Sequence, residues 1–528
     1  MLIKDPNITD LQALEMAYAV SCQELKQARV TIDILKAEIV ALQEKLKLAQ
    51  DKEFGKSSER SSPPPPLLDP LDKTEDGEKT SVSGYIRKKK NKARGKTTDL
   101  SQLPCFQILH DLAIDAKNCS CCQKPLVLLG QETSKKLEVI PQKLFVAEHV
   151  YYKYTCRSCE TIVESKREKS AIPKALAGDS LIAEILENKY QHHLPLYRQS
   201  QILENHGIRI SDNTLSNWVM QTGENLLPLY TALWKAILSA RYLQVDETPV
   251  KILKPDKKGY LWTYFAPRVG AGLVIFEASL SRSGEIAKKR LEPFSGLLQT
   301  DGYNGYQALR NREGIRAFGC LSHARRKFNE VITVSGDTNG IAFEMVERLK
   351  PLYLLEEKMR KAKYPPGARK KFRQKIARPI LKSIHSWLLE LAPQVPTKSK
   401  LGHAIAYTLK QWPFITHYLR HGWVEIDTNW VENQIRPIAI GKKNFLFMGH
   451  EQSATIHALF YSLVLSAILN KLNPRLYLHF LLSQVHLIRQ RKVDPYLLLP
   501  HIVEKALLKK FAESNLQFSK SVLNALKF

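Results

Sequence analysis

From Arg241 to His323 the helical period gives way to short apolar runs bounded by turn residues, and the segments they define come in an order that few architectures accept. RYLQVDETPVKIL, GYLWTYFAPR and GLVIFEASL read as three successive strands, joined by a Lys-Lys-Gly turn and a Gly-Ala-Gly turn, which makes a meander. A helix (SGEIAKKRLEPF), a fourth strand (GLLQTDGYNGY) and a fifth (GIRAFGCLSH) follow. Three antiparallel strands and then strand, helix and strand predict one mixed sheet within a multidomain α/β chain.

A mixed sheet in this order is of the ribonuclease-H type, and it gives two aspartates a place. Asp246 lies near the end of the first of these strands and Asp301 at the end of the fourth, each after an apolar run. If those strands are neighbours, the carboxylates meet at one sheet edge, where burying two like charges is costly without a cation. Hard oxygen ligands with room for water and phosphate fit Mg2+ or Mn2+. Two such ions about 4 Å apart activate an attacking oxygen and stabilise a leaving one in phosphoryl transfer. Taken singly, either aspartate is an ordinary turn residue, and DGYNGY is turn chemistry by composition.

A third carboxylate would complete the site. DTNWVENQIRPIAIGKKNFLF, residues 427–447, reads as a short helix feeding a basic, aromatic-ended segment. Glu432 stands on that helix behind a cap at Asp427 or Thr428, one turn before Arg436. Spacing alone makes it the i to i+4 partner of Arg436. Beside Asp246 and Asp301 it is expected as the third metal ligand, with Arg436, Lys442 and Lys443 drawing in phosphate. The basic helical stretch 340–420 reads as an insertion that parts the glutamate from the sheet in sequence and lies on DNA. Cys320 and His323 form a C-x2-H pair just after the fifth strand. Without two further ligands nearby, that pair is expected to border the active site, with His323, Arg325 and Arg326 against nucleic acid.

The rest of the chain points the same way. At 528 residues it is too long for one core, and 79 Lys and Arg against 52 Asp and Glu give a net charge of +27, which favours a polyanionic partner. No run approaches the roughly 18 apolar residues of a membrane span, and MLIKDPN leads straight into a charged helical pattern, unlike a signal peptide. A cytoplasmic, nucleoid-associated protein without a membrane partner is expected.

Leu11, Tyr18, Leu25, Ile32, Ile39 and Leu46 recur every seven residues, the mark of a coiled coil and of a homodimer or higher assembly. A Pro-rich connector and the basic arm RKKKNKARGK follow. CSCCQKPL and CRSC give two C-x2-C knuckles, Cys119 with Cys122 and Cys156 with Cys159, separated by strand-like alternation. Four such thiolates suit a closed, structural Zn2+ site, in which Cys121 could replace Cys122. DSLIAEILENKYQHH, LPLYRQSQILENHGIRI and SDNTLSNWVMQTG read as three helices. The last two, with a turn at Gly207 and an N-cap at Ser211 or Asp212, have the layout of a helix-turn-helix. Asn213, Ser216 and Asn217 are its groove-facing candidates, and Arg198 is a further DNA contact.

With these motifs assembled, the chain resembles the large DD(E)-type transposase of insertion-sequence family 66. FGKSSER, CSCC with CRSC, TLSNWV, VDETPV, TDGYNGY, CLSHARRKF, the 427–447 stretch and NPRLYL stand in family order and span most of residues 30 to 480. The sequence departs from the family at Leu321-Ser322, commonly Trp-Ala, and at Gln123, commonly glycine. The resemblance implies a ribonuclease-H-like catalytic domain with a helical insertion and a DDE triad at Asp246, Asp301 and Glu432.

The expected layout is a coiled coil over 8–50, a linker over 51–100, a zinc-binding domain over 101–170 and a helix-turn-helix domain over 171–238. A catalytic domain follows over 239–464, with an insertion at about 338–422, and then a helical region over 465–528. The expected activity is Mg2+-dependent cleavage and strand transfer at the element's terminal inverted repeats. Its partners would be double-stranded DNA of the ends and target, and accessory proteins of the same element. A DNA-binding regulator or a nuclease without strand transfer are the rival readings, and a regulator leaves the carboxylates unexplained.

Overall fold

In the computed structural model, residues 144–155, 162–164, 169–254, 256–336 and 339–525 are described. The expected coiled coil, the linker with its basic arm, and Cys119, Cys121, Cys122, Cys156 and Cys159 lie outside them. Two short strands, β1 (Lys153–Thr155) and β2 (Ile162–Glu164), pair antiparallel with Tyr154 opposite Val163. They flank the second cysteine knuckle in sequence, whereas residues 144–152, expected to alternate as strand, form none.

Three helices follow, α1 (Asp179–Tyr190), α2 (Leu196–Asn205) and α3 (Asp212–Leu238). Gly207 turns the chain after α2 at φ 81°, a left-handed conformation that glycine adopts without strain. Ser211 caps α3 by accepting the Thr214 N–H at 3.2 Å. The helix then runs on past Gly223 for 27 residues in all. A Cβ at Gly223 would meet Ile456 at 2.4 Å, so this glycine permits close helix packing rather than ending the helix. Beyond it Leu226, Leu229, Leu233 and Ile237 are buried at helical spacing. Tyr230 donates to the Phe276 carbonyl, and Trp234 packs edge-on against Tyr264 at 5.0 Å.

The sheet is built from β3 (Tyr242–Lys254), β4 (Lys257–Ala266) and β5 (Leu273–Ser279), then α4 (Gly284–Arg290), β6 (Gly296–Thr300), the single turn α5 (Gln307–Arg310) and β7 (Ile315–Phe318). The first three strands are antiparallel neighbours, β6 runs parallel to β3, and β7 parallel to β6, in the order β5-β4-β3-β6-β7. This is the mixed sheet expected from the order of segments. One turn is misplaced by the sequence. Lys257, Lys258 and Gly259 belong to β4, with Gly259 opposite Val250. Ile252 lies over the glycine, where a Cβ would meet its Cδ1 at 2.5 Å.

After β7 come α6 (Leu321–Ser335), the inserted helices α7 (Ile341–Lys361), α8 (Pro366–Phe372), α9 (Arg378–Leu391) and α10 (Lys400–Thr416), and then α11 (Asn429–Phe445). A three-residue strand, β8 (Met448–His450), pairs parallel with the far end of β3. The chain closes with α12 (Glu451–Leu469), α13 (Pro474–Arg489) and α14 (Lys505–Ala525).

Helix α12 is the one described helix long and apolar enough to cross a membrane, but 67% of that window is buried within the protein. Its polar stripe satisfies the outer edge of β5. Ser462 accepts the Phe276 N–H at 2.9 Å and Ser466 accepts the Val274 N–H at 3.1 Å. One helix turn later, Asn470 accepts from Ala271 at 3.0 Å. Residues four apart on a helix advance about 6 Å, close to two residues of strand, so the two ladders keep register. Ser462→Ala and Ser466→Ala should each lower stability by about 1–3 kcal/mol, because each leaves a buried N–H unpaired. Urea unfolding of the two variants measures this.

Candidate active site

The β3–β6 register sets Val245 opposite Thr300, so Asp246 and Asp301 are the next residues out on neighbouring parallel strands. Two positions earlier on each strand, on the same face, stand Gln244 and Gln299, paired with each other. Leu-Gln-x-Asp thus occurs twice, at 243–246 and 298–301. Both glutamines are fully buried, and both bond to the chain that leads into α11. Gln244 donates to the Asp427 carbonyl and accepts the Val431 N–H, each at 3.0 Å. Gln299 donates to the carbonyls of Gly319 at 2.9 Å and Glu425 at 3.0 Å. Tyr242 completes the cluster, accepting from Gln244 at 2.9 Å. One amide therefore ties the Asp246 strand to the first turn of the Glu432 helix. Sequence reasoning passed over these glutamines, although a polar residue inside an apolar strand was a signal.

Helix α11 is a single 17-residue helix that continues through Pro437 to Phe445, longer than the short helix expected. Asp427 supplies the cap, accepting the Asn429 N–H at 3.1 Å and its side-chain amide at 2.9 Å. Thr428 holds the cap position and makes no capping bond with its side chain. Glu432 lies in the first turn and is 25% exposed. Its partner is Arg326 of α6, 2.8 Å from Oε2, and not Arg436, which is exposed. A helical spacing rule sees only its own helix, whereas α6 brings a guanidinium from 106 residues away.

Electrostatics registers the convergence. Asp246 is pushed up to about 8 by burial, then by the charges of Asp301 and Glu247, and also by Glu432. Each aspartate has one oxygen engaged locally: Asp246 Oδ1 accepts the Glu247 N–H at 2.8 Å, and Asp301 Oδ1 accepts the Tyr303 N–H at 3.0 Å, so Asp301 also serves its turn. Arg310 is buried and grips the end of β6 through the Asp301 carbonyl and the Thr300 hydroxyl. Glu247 is committed elsewhere, to Arg282 at 2.7 Å and to the Tyr306 hydroxyl at 2.6 Å. A carboxyl pushed up by desolvation and by neighbouring like charges is one that a divalent cation relieves.

The C-x2-H pair borders this cluster. Cys320 is the N-cap residue of α6, and its Sγ receives the Thr428 N–H at 3.2 Å and the Thr428 hydroxyl at 3.1 Å. His323 Nδ1 is 3.8 Å from Glu432 Oε1. Burial lowers the histidine, but Cys320, Glu432 and Asp301 outweigh it and hold His323 up at about 9. A third ligating residue, Glu432, therefore does stand beside the pair.

The other expected contacts divide. Arg198, Asn213 and Asn217 are exposed and Ser216 is half-buried, on α2 and the first turns of α3. Arg436 and Lys443 are exposed on α11. Lys442 instead turns back onto β3, 2.8 Å from the Pro249 carbonyl and 3.2 Å from the Thr248 hydroxyl. Arg325 lies over the Tyr353 ring of α7 at 5.2 Å, which draws it toward the insertion.

The insertion grips the loop before α11. Glu425 is 1% exposed and meets Arg369 at 2.9 Å and Arg268 at 3.0 Å. Glu356 of α7, also 1% exposed, takes Arg373 at 2.6 Å and Arg369 at 2.9 Å. Arg373 in turn donates to the His421 carbonyl at 2.6 Å.

A mixed α/β sheet with carboxylates where β6 ends beside the middle of β3, and with a helix reaching that point from beyond a helical insertion, is the class this chain defines. The chain belongs to the IS66 transposase family. The family model described as "Transposase IS66 family" matches residues 174–456. A second, "zinc-finger binding domain of transposase IS66", matches residues 116–160, a span that contains both cysteine knuckles and supports structural zinc. Two proteins of Sinorhizobium fredii (strain NBRC 101917 / NGR234) are similar over most of their length. "Uncharacterized protein y4jD" is 32% identical over 428 residues, 78% of this chain and 81% of that one. "Uncharacterized protein y4hP" is 30% identical over 389 residues, 70% of each.

Proposed function

We infer that this transposase binds the terminal inverted repeats of its insertion sequence and catalyses Mg2+-dependent DNA cleavage and strand transfer on a ribonuclease-H-like sheet. Asp246, Asp301 and Glu432 are its three metal-holding carboxylates. The observation that carries the reading is the register of β3 and β6, which sets Asp246 beside Asp301, while Gln244 on the same strand bonds the Asp427 carbonyl and the Val431 N–H at the start of the Glu432 helix. Burial, then Asp301 and Glu247, and also Glu432, push the Asp246 carboxyl up to about 8. Mg2+, or Mn2+, would supply Lewis acidity to the attacking and leaving oxygens of an in-line displacement. The chain's own residues do the rest. Gln244 and Gln299 fix the glutamate helix against the strands, Arg326 balances Glu432 and presents its guanidinium to phosphate, and Asp246 gives up its proton as the site fills. Arg436 and Lys443 on α11 extend the cationic track, while Arg198, Asn213, Ser216 and Asn217 offer a DNA-reading surface of helix-turn-helix layout. The N-terminal heptads would pair protomers across two ends.

Incubated with Mg2+, a fragment bearing the element's ends and a target plasmid, the protein is expected to give joined products. Binding without cutting would leave only a regulator, and cutting without joining a nuclease.

Metal affinity should depend on pH. The folded carboxyl of Asp246 stands at about 8, above the ordinary 3.8, so metal must displace a proton at neutral pH. Mg2+ affinity therefore rises as pH climbs toward about 8 and levels beyond it. Calorimetric titrations of Mn2+ across that range measure the slope.

A further inference from the structure

Cys320, His323 and Glu432 each turn one ligating atom to a common point, all within 4.8 Å of one another. Cys320 is buried, and the other two are half-buried at the N-terminal ends of α6 and α11. His323 Nδ1 is shielded from solvent and makes no hydrogen bond of ordinary geometry, while its Nε2 is within 3.3 Å of Arg326. On the glutamate, Oε2 is held by Arg326 at 2.8 Å, and Oε1 is the oxygen that faces the histidine. The sulfur has the polar groups of Thr428 and Ser322 around it at 3.0–3.2 Å, bonds of the kind that orient a metal-bound thiolate.

We propose that these three residues form a transition-metal site that takes zinc and, when filled, withdraws Glu432 from Asp246 and Asp301. Thiolate, imidazole and carboxylate, with water from the exposed side as a fourth ligand, make the donor set of tetrahedral zinc. Mg2+ refuses sulfur and needs oxygen. Thiolate and carboxylate together neutralise the ion. Zinc bonds of about 2.0–2.3 Å bring donors to roughly 3.5 Å apart, so closing the site takes side-chain shifts of about 1 Å. Zinc and the Mg2+ chemistry then compete for one carboxylate. The binding half of the proposal stands on its own, while the inhibitory half rests on the reading of Glu432 as a catalytic metal ligand.

The test uses the full chain, loaded with Zn2+ and desalted, with bound zinc counted by elemental analysis. Wild type is expected to carry one equivalent per chain more than Cys320→Ser. His323→Gln reads the same site should the serine variant not fold. Zinc should also inhibit Mg2+-dependent cutting by wild type, and Cys320→Ser should need at least about tenfold more zinc for the same inhibition. Equal zinc in wild type and both variants overturns the site. Zinc lost from the variants together with equal zinc sensitivity of cutting overturns the inhibitory half. Wild type that gains the extra zinc but never cuts with Mg2+ overturns the proposed activity and upholds the site.

Discussion

Asp246→Asn is expected to lower end cleavage by roughly 10³-fold, since losing even an outer partner of a catalytic metal costs about 10–100-fold. End binding, proposed to draw on α2, α3 and the basic segments, should hold within a small factor. The same change should stabilise the metal-free protein at alkaline pH. Because the Asp246 carboxyl is held well above its ordinary value, at about 8, its contribution to stability is complete below the unfolded value and is lost as pH rises through the folded one. Asparagine keeps the neutral form throughout, so the variant's unfolding midpoint should be flat where the wild type's falls. Loss of activity with a gain in apo stability separates a metal ligand from a turn residue, whose loss would only destabilise.

Glu356→Ala should cost about 3–5 kcal/mol, the largest stability effect among the changes considered. It leaves Arg369 and Arg373, 4% and 0% exposed, without their shared carboxylate in the heart of the insertion. Arg373 also holds the Tyr418 and His421 carbonyls at 3.2 and 2.6 Å. The damage therefore reaches the loop that carries Glu425 and Asp427 into α11. Denaturant unfolding measures the cost, and cleavage by the folded fraction should fall as well. Glu356→Gln, which keeps the shape and some hydrogen bonds, should cost less.

Short apolar runs and turn residues were enough to read the sheet, because β4 and β5 are buried over most of their length and the order of the strands leaves one simple pairing. Asp246 and Asp301 were expected to meet at strand ends if their strands were neighbours. β3 and β6 are neighbours and Asp301 follows the end of β6, but β3 runs on from Asp246 to Lys254 because β4 pairs with it along that length. Glu432 was legible as a residue but not as a geometry. Its partner Arg326 and the buried glutamines that seat its helix come from the sheet and from α6, and no local spacing rule spans that distance. The 427–447 stretch read as a short helix feeding a basic segment, yet α11 runs through Pro437 and Gly441 to Phe445. A Cβ at Gly441 would sit 2.8 Å from the Tyr461 hydroxyl and 3.1 Å from His193 Nδ1, so this glycine marks a close approach. The direction of Lys442 was not legible, because charge says nothing of direction and β3 offers its ammonium the Pro249 carbonyl and the Thr248 hydroxyl. Cys320 and His323 showed no two further ligands nearby in sequence, and Glu432, which stands beside them, is supplied by another helix.

The most direct test of the account is cleavage of end DNA by Glu432→Gln protein in Mg2+, with folding checked by its unfolding midpoint and end binding by gel shift. The glutamine is nearly isosteric and loses the charge that Asp246 and Asp301 are proposed to share with the metal. A folded, DNA-binding variant that no longer cuts is the predicted result. A variant that folds, binds and cuts as wild type does would remove Glu432 from the triad and contradict the central claim.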